Sequence, residues 1–180
     1  MIVREQAPGD YEAIRHVYGE AFRRPRFRPP QSPGSVAPEV ALFEALWEAG
    51  DVLPELSFTA LTDGGVVGHV TASDASVATD RVVAVGPIGV LPDHQGTGIG
   101  SALMEAVLTA GDAAGVPLIA LLGAPEYYGR FGFRPATEFG VIAPEPEWGS
   151  AFQVRPLSAY TASIAGRFRY VPAFSDPSLT

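Results

Sequence analysis

Gly86-Pro87-Ile88-Gly89-Val90-Leu91-Pro92-Asp93-His94-Gln95-Gly96-Thr97-Gly98-Ile99-Gly100-Ser101 is the stretch that decides how this 180-residue chain is read. Residues 81–90 form a β-prone run interrupted at Gly86-Pro87, where a proline without an N–H and a flexible glycine predict a local break in strand pairing. After Pro92 comes a glycine loop. Ile99, Leu103, Val107, Ala110 and Ala114 then recur at the spacing of one buried helix face. A strand therefore runs through glycines into a helix. The first turn of a helix carries free N–H groups at the positive end of the macrodipole. Small residues let a phosphate approach those amides. Such a site needs no lysine, and this chain has none: all 12 of its basic residues are arginine.

The spacing separates this loop from commoner phosphate binders. Gly96, Gly98 and Gly100 give G-x-G-x-G, not the G-x-G-x-x-G of dinucleotide folds, and no strand-terminal acid follows about 20 residues on to take a ribose. Without G-K-[ST] there is no P-loop. The plain alternative is a glycine turn that only lets strand and helix pack closely.

Composition narrows the function from the other side. A net charge of −8 lacks the positive field that holds nucleic-acid phosphates, so no nucleic-acid partner is expected. The absence of cysteine removes disulfides, thiol nucleophiles and cysteine-ligated zinc. His16, His69 and His94 do not have metal-ligand spacing, so no metal is expected. No run of 18 apolar residues predicts a membrane span, and with acidic Glu5 arriving at once and no apolar h-region after it no signal peptide is expected. A cytoplasmic location with no membrane partner is the expectation.

Along the chain, residues 2–4 read as a strand, with Asp10 as a helix N-cap. Ile14, Val17, Tyr18, Ala21 and Phe22 mark one helix face. Residues 23–38 form a loop with four prolines between Pro25 and Pro33. A second helix spans 39–49 and stops at Gly50, with Phe43 and Trp47 under it in the core. Residues 57–61 and 66–72 are strands joined by a Thr62-Asp63-Gly64-Gly65 turn. After the helix from Ile99, which Gly111 and Gly115 let end, residues 118–122 are a strand and 125–131 a short helix. Residues 141–143 and 152–157 close the sheet. The order predicts an α/β (α+β) fold: a mixed, mostly antiparallel central sheet flanked by helices. One domain covers 1–157, and 158–180 reads as a loosely packed C-terminal tail.

Gln95-Gly96-Thr97-Gly98-Ile99-Gly100 resembles the Q/R-x-x-G-x-G/A acyl-CoA loop of the GNAT acetyltransferase superfamily, and Tyr127-Tyr128-Gly129-Arg130-Phe131-Gly132-Phe133 resembles that family's Y-x-x-x-G-F segment. The likeness extends through Ile88-Gly89-Val90-Leu91-Pro92 upstream and Ser101-Ala102-Leu103-Met104 downstream. It is closest to the small bacterial predicted N-acetyltransferases. It implies the acyl-CoA N-acyltransferase fold with a splayed strand pair, and acetyl-CoA as cosubstrate. The amides of Gln95, Gly96, Thr97, Gly98, Ile99, Gly100 and Ser101 would take the pyrophosphate. Ile88, Gly89 and Val90 would pair with the pantetheine arm. The Val90 amide would be the oxyanion donor, and Tyr128 would protonate the departing thiolate.

The resemblance implies a cytoplasmic N-acetyltransferase acting by direct attack on a primary amine of a small-molecule or peptide acceptor, with a homodimer as one assembly. The rival is an acyl-CoA-binding sensor or interaction module without turnover. O-acetylation or transfer of a longer acyl chain is a third option, with Gly89 leaving room near the thioester. Candidates for the base are Glu20, Asp74, Glu126, His69 and an ordered water. His69 beside Gly68 reads first as a satisfied structural residue. Tyr128 has a packing role as its alternative, and Tyr127 is its competitor, about 100° away on a helix. Arg130 reads equally as a phosphate contact or a surface residue. The cluster Arg23, Arg24, Arg26 and Arg28 reads as a solvated loop or a site for an acidic group. Acceptor specificity is expected in residues 23–40.

Overall fold

β1 (Ile2–Glu5) leads through a 3-10 turn into α1 (Tyr11–Ala21). A computed structural model describes residues 1–23 and 36–175. Arg24, Arg26, Arg28 and most of the expected specificity loop lie outside the described residues. The predicted face of α1 is confirmed at Ile14, Val17 and Tyr18, all fully buried. Asp10 occupies the N-cap position but makes no cap bond. Its carboxylate turns back instead, accepting from Arg4 at 2.7 and 2.8 Å and from the Ala7 amide at 2.8 Å. α2 (Pro38–Ala49) ends at Gly50, whose φ of 73° suits a residue without a side chain.

β2 (Phe58–Thr62) and β3 (Gly65–Val77) form the expected hairpin, with Thr62 opposite Gly65. β3 runs five residues past the predicted end at Ala72 and turns tightly into β4 (Asp80–Val90). The extension was hidden because Ser73-Asp74-Ala75-Ser76 looks polar, although it pairs with β4 residue by residue. α3 (Ile99–Ala113), β5 (Leu118–Leu122) and α4 (Pro125–Tyr128) follow as predicted. Gly111 is a packing residue rather than an exit: a Cβ there would lie 3.1 Å from Ile119 Cδ1. The chain leaves α3 at Gly115, with φ 72°.

The remaining strands are β6 (Arg134–Pro135), β7 (Val141–Ile142), β8 (Phe152–Pro156) and β9 (Gly166–Tyr170). The main sheet has the order β1-β2-β3-β4-β5-β8-β6. β9 pairs with the far end of β3 and with β7. Only β4–β5 and β7–β9 are parallel, so the mostly antiparallel expectation holds.

The loosely packed tail is therefore corrected over residues 164–170. Phe168 and Ile164 are buried in the core, and β9 hydrogen-bonds into the sheet. Gly-Arg-Phe-Arg-Tyr alternates outward arginines with inward rings, but over too few residues to stand out.

Alternation divides the core. Ile119 and Leu121 of β5 join Leu103, Met104 and Val107 of α3 on one face. Leu118 and Ala120 join Phe152, Val154 and Phe168 on the other. α1 and α2 form a third cluster around Tyr18, Val40 and Phe43.

Candidate active site

β4 and β5 share only two paired positions, Val83 with Ile119 and Ala84 with Ala120. Beyond Ala84 the strands part, and β4 continues for six residues with no β5 partner. The predicted break sits at the start of that stretch. Four residues of β4, from Val85 to Ile88, stand opposite three of β3, from Val70 to Ala72. Gly86–Pro87 is a cis peptide.

Pairing with β3 fixes which way the free stretch points. The Leu91 amide donates to the Val67 carbonyl at 2.9 Å. In an antiparallel ladder hydrogen-bonding direction alternates. Gly89 therefore turns its polar groups to β3, while Ile88 and Val90 turn theirs into the slot where β5 has withdrawn. The Val90 carbonyl is taken by Gln95 Nε2, which donates at 3.0 Å. By that register the amides of Ile88 and Val90 face away from β3, on the side where β5 pairs with no residue of β4 beyond Ala84.

The loop beyond is held by short bonds within itself. His94 N donates to Leu91 O, Gln95 N to Pro92 O, and Thr97 Oγ1 to His94 O at 2.6 Å. Gly96 and Gly98 have φ of 77° and 91°, conformations that strain any side chain. Gly98 is the N-cap of α3, with no side-chain cap and no acidic residue in the first turn. Among the described residues nothing accepts from the amides of Gly96 to Ser101. Gln95, Gly96, Thr97 and Gly98 are exposed, whereas the Ile99 side chain anchors in the core. The amide array thus stands open at a positive helix end, the electrostatic condition for an anion. The expected residues of strand and loop come together in one continuous slot.

The two tyrosines of α4 part as predicted. The Tyr128 ring lies against Gly123 at the end of β5, so closely that a Cβ there would sit 2.2 Å from Tyr128 Cε2. Burial pushes the Tyr128 phenol above its ordinary value. The Tyr127 hydroxyl reaches across to the loop instead, 2.7 Å from where a Gly100 Cβ would stand. Arg130 lies over the Tyr127 ring at 4.1 Å. The contact between Tyr127 and Gly100 was not legible beforehand, because it joins residues 27 positions apart.

Gly89 leaves no space on the slot side. A Cβ there would meet Tyr18 Cδ1 at 2.9 Å and Ala21 Cβ at 3.2 Å, so the missing side chain makes room for α1 and not for a longer acyl group. His69 is fully buried. Its Nδ1 lies 2.7 Å from the Tyr18 hydroxyl and its Nε2 3.0 Å from the Gln6 carboxamide. Burial lowers its pKa to about 3. The structural reading of His69 stands, and no external amine can reach it. Asp74 pairs with Arg81 and Glu20 with Arg23, while Glu126 is exposed on α4.

A parted strand pair leading to an uncapped, glycine-lined helix start is the arrangement that the resemblance to acetyl-CoA-dependent N-acetyltransferases implies. A model of the family described as "Acetyltransferase (GNAT) family" matches residues 12–133, and the chain belongs to that family. It is 29% identical over 150 residues to the uncharacterised N-acetyltransferase YjhQ of Escherichia coli K12, covering 79% of this chain and 83% of that protein. Among solved structures, YhbS of Escherichia coli in complex with CoA has a TM-score of 0.84 at 26% identity, over 98% of this chain and 92% of that one. A GNAT family acetyltransferase of Brucella melitensis in complex with acetyl-CoA has a TM-score of 0.75 at 28% identity, over 97% of both chains. Among the described residues no cluster of His, Asp or Glu could hold a metal, and no helix is long and apolar enough to cross a membrane.

Proposed function

We propose that this chain transfers the acetyl group of acetyl-CoA to a primary amine by direct attack. The observation that carries the reading is the parted edge of β4, where the amides of Ile88 and Val90 face away from β3, leading into the uncapped start of α3. The amides of residues 95–101 receive the pyrophosphate, and the edge of β4 at residues 88–90 pairs with the pantetheine arm. The Brucella relative, solved with acetyl-CoA, supports the choice of cosubstrate.

The incoming amine must be neutral to carry a lone pair. As nitrogen attacks the thioester carbon, charge builds on the carbonyl oxygen, and the Val90 amide donates to it, beside the parallel amide of Ile88. The C–S bond then breaks and the pair leaves on sulfur. Tyr128 supplies a proton to that thiolate. Burial keeps the phenol protonated until the transfer, and since desolvation raises the basicity of the thiolate as it raises the phenol, donor and acceptor stay matched. The proton that the attacking nitrogen sheds passes through water to Tyr128 and restores its phenol. A net charge of −8 steers cationic amines toward the protein. The setting we infer is a cytoplasmic enzyme without a nucleic-acid partner, and a homodimer fits the reading.

The test is release of free CoA thiol from acetyl-CoA in the presence of a panel of primary amines. Amine-dependent release supports the enzyme. CoA binding with no turnover on any amine would favour the sensor reading instead.

A further inference from the structure

The Tyr18 hydroxyl is fully buried and touches three groups at once. It lies 2.7 Å from His69 Nδ1, 2.8 Å from Thr71 Oγ1 and 2.8 Å from the Pro87 carbonyl oxygen. A phenol has one proton, and a carbonyl can only accept. The assignment that leaves no acceptor facing another gives that proton to Pro87. Thr71 then donates into the phenolic oxygen, and so does His69 through Nδ1–H. Neutral His69 keeps a bare Nε2, facing Gln6 Oε1 at 3.0 Å. A half-turn of the carboxamide, which leaves its outline unchanged, brings its NH2 to that place and satisfies the network.

The Pro87 carbonyl and the Ile88 N–H belong to one peptide group. In a trans peptide these bonds point in opposite directions. A carbonyl held from the α1 side therefore fixes an N–H aimed at the slot, where alternation along β4 independently puts it. A hydrogen bond to the carbonyl also polarises the peptide and strengthens its N–H as a donor. The Tyr18 ring lies flush against Gly89 two residues on, so the same side chain backs the strand and grips its bulge.

We propose that Tyr18 is a positioning residue for acetyl transfer: through the Pro87 carbonyl it holds the Ile88 amide toward the slot, and with it the edge of β4 whose Val90 amide, two residues on, meets the thioester oxygen. Tyr18 reaches no substrate itself. The proposal rests on the reading of the slot as the acetyl-CoA site.

The test compares Tyr18→Phe with Phe43→Leu, a substitution in a ring that packs on Tyr18 but makes none of these bonds. Both are measured for melting temperature, CoA affinity by calorimetry, and kcat and KM in the CoA-release assay. Tyr18→Phe is expected to lose about tenfold in kcat, the worth of one hydrogen bond, with CoA affinity and the KM for acetyl-CoA within twofold of wild type. Its Ile88 amide resonance should shift. Phe43→Leu should lose melting temperature but not kcat. Equal kcat in wild type and a folded Tyr18→Phe overturns the proposal, as does an equal kcat loss in Phe43→Leu. Should Tyr18→Phe fail to fold, a wild-type crystal with a methyl-ketone analogue of acetyl-CoA decides. An analogue lying along β4 with its ketone oxygen on Val90 N and another acceptor of its chain within 3.2 Å of Ile88 N, roughly the hydrogen-bond limit, supports the role, and an analogue that leaves Ile88 N without an acceptor overturns it. Wild type that binds no CoA would instead sink the reading of the site.

Discussion

Gln95 reaches back five residues to donate from Nε2 to the Val90 carbonyl at 3.0 Å. This single bond ties the glycine loop proposed to take the pyrophosphate to the last residue of the strand along which pantetheine is expected to lie. It also uses up the Val90 carbonyl and leaves the Val90 amide free. Gln95→Ala should weaken CoA binding about fivefold to tenfold, the worth of one hydrogen bond of about 1 kcal/mol, without lowering the melting temperature. Calorimetry and a thermal melt check both parts.

Tyr128→Phe removes the hydroxyl and keeps the ring that packs on Gly123. The expected outcome is a fall in kcat of about 10²-fold with CoA affinity unchanged, the usual worth of a positioned proton donor. Because burial holds the phenol above its ordinary value, wild type should show no loss of rate from Tyr128 ionisation up to pH 10. An alkaline limb that disappears in Tyr128→Phe would count against this.

Gly89→Ala would push a methyl group into the Tyr18 ring at 2.9 Å, inside a fully buried contact. Overpacking of this kind costs about 1–3 kcal/mol. Denaturant unfolding should register that loss. Widening of acyl-chain selectivity by size changes at this position is not expected, since the space belongs to α1.

His69 gives the fold an acid limit. Its pKa is about 3 when folded, against 6.5 for the free side chain. Below pH 6.5 the unfolded chain binds a proton that the folded chain refuses, so stability present at neutral pH is lost as pH falls toward 3. The slope reaches about 1.4 kcal/mol per pH unit from this one group. Urea unfolding of wild type and His69→Gln between pH 7 and 4 should diverge by that slope. Parallel curves would remove His69 from the account.

Phe168→Ala should cost about 3–5 kcal/mol, the range for a large ring removed from a packed core. A loss below 1 kcal/mol would restore the description of this region as a loose tail.

The slot was legible because its signals are local. Gly86-Pro87 announced the bulge, Gly96, Gly98 and Gly100 the bare helix start, and the spacing from Ile99 the buried face of α3. Tyr128-x-x-x-Gly132-Phe133 marked the turn after β5, where the Tyr128 ring packs on Gly123. What stayed hidden joins residues far apart in sequence. Tyr18 looked like one more apolar position, since nothing in a helical period reveals that its hydroxyl meets His69, Thr71 and Pro87 across 51 to 69 residues. Gly89 looked like spare volume until α1 was seen to fill it. β9 escaped because it pairs with an extension of β3 that was itself masked by polar residues.

The central claim is that unpaired main chain in β4 and at the start of α3 holds the cosubstrate. Titration of ¹⁵N-labelled protein with CoA tests it most directly. Saturable shifts at the amides of Ile88, Val90 and Gly96 to Ser101, with one site per chain, are the predicted result. Shifts that saturate elsewhere while these amides stay still, or no response at millimolar CoA, would contradict it.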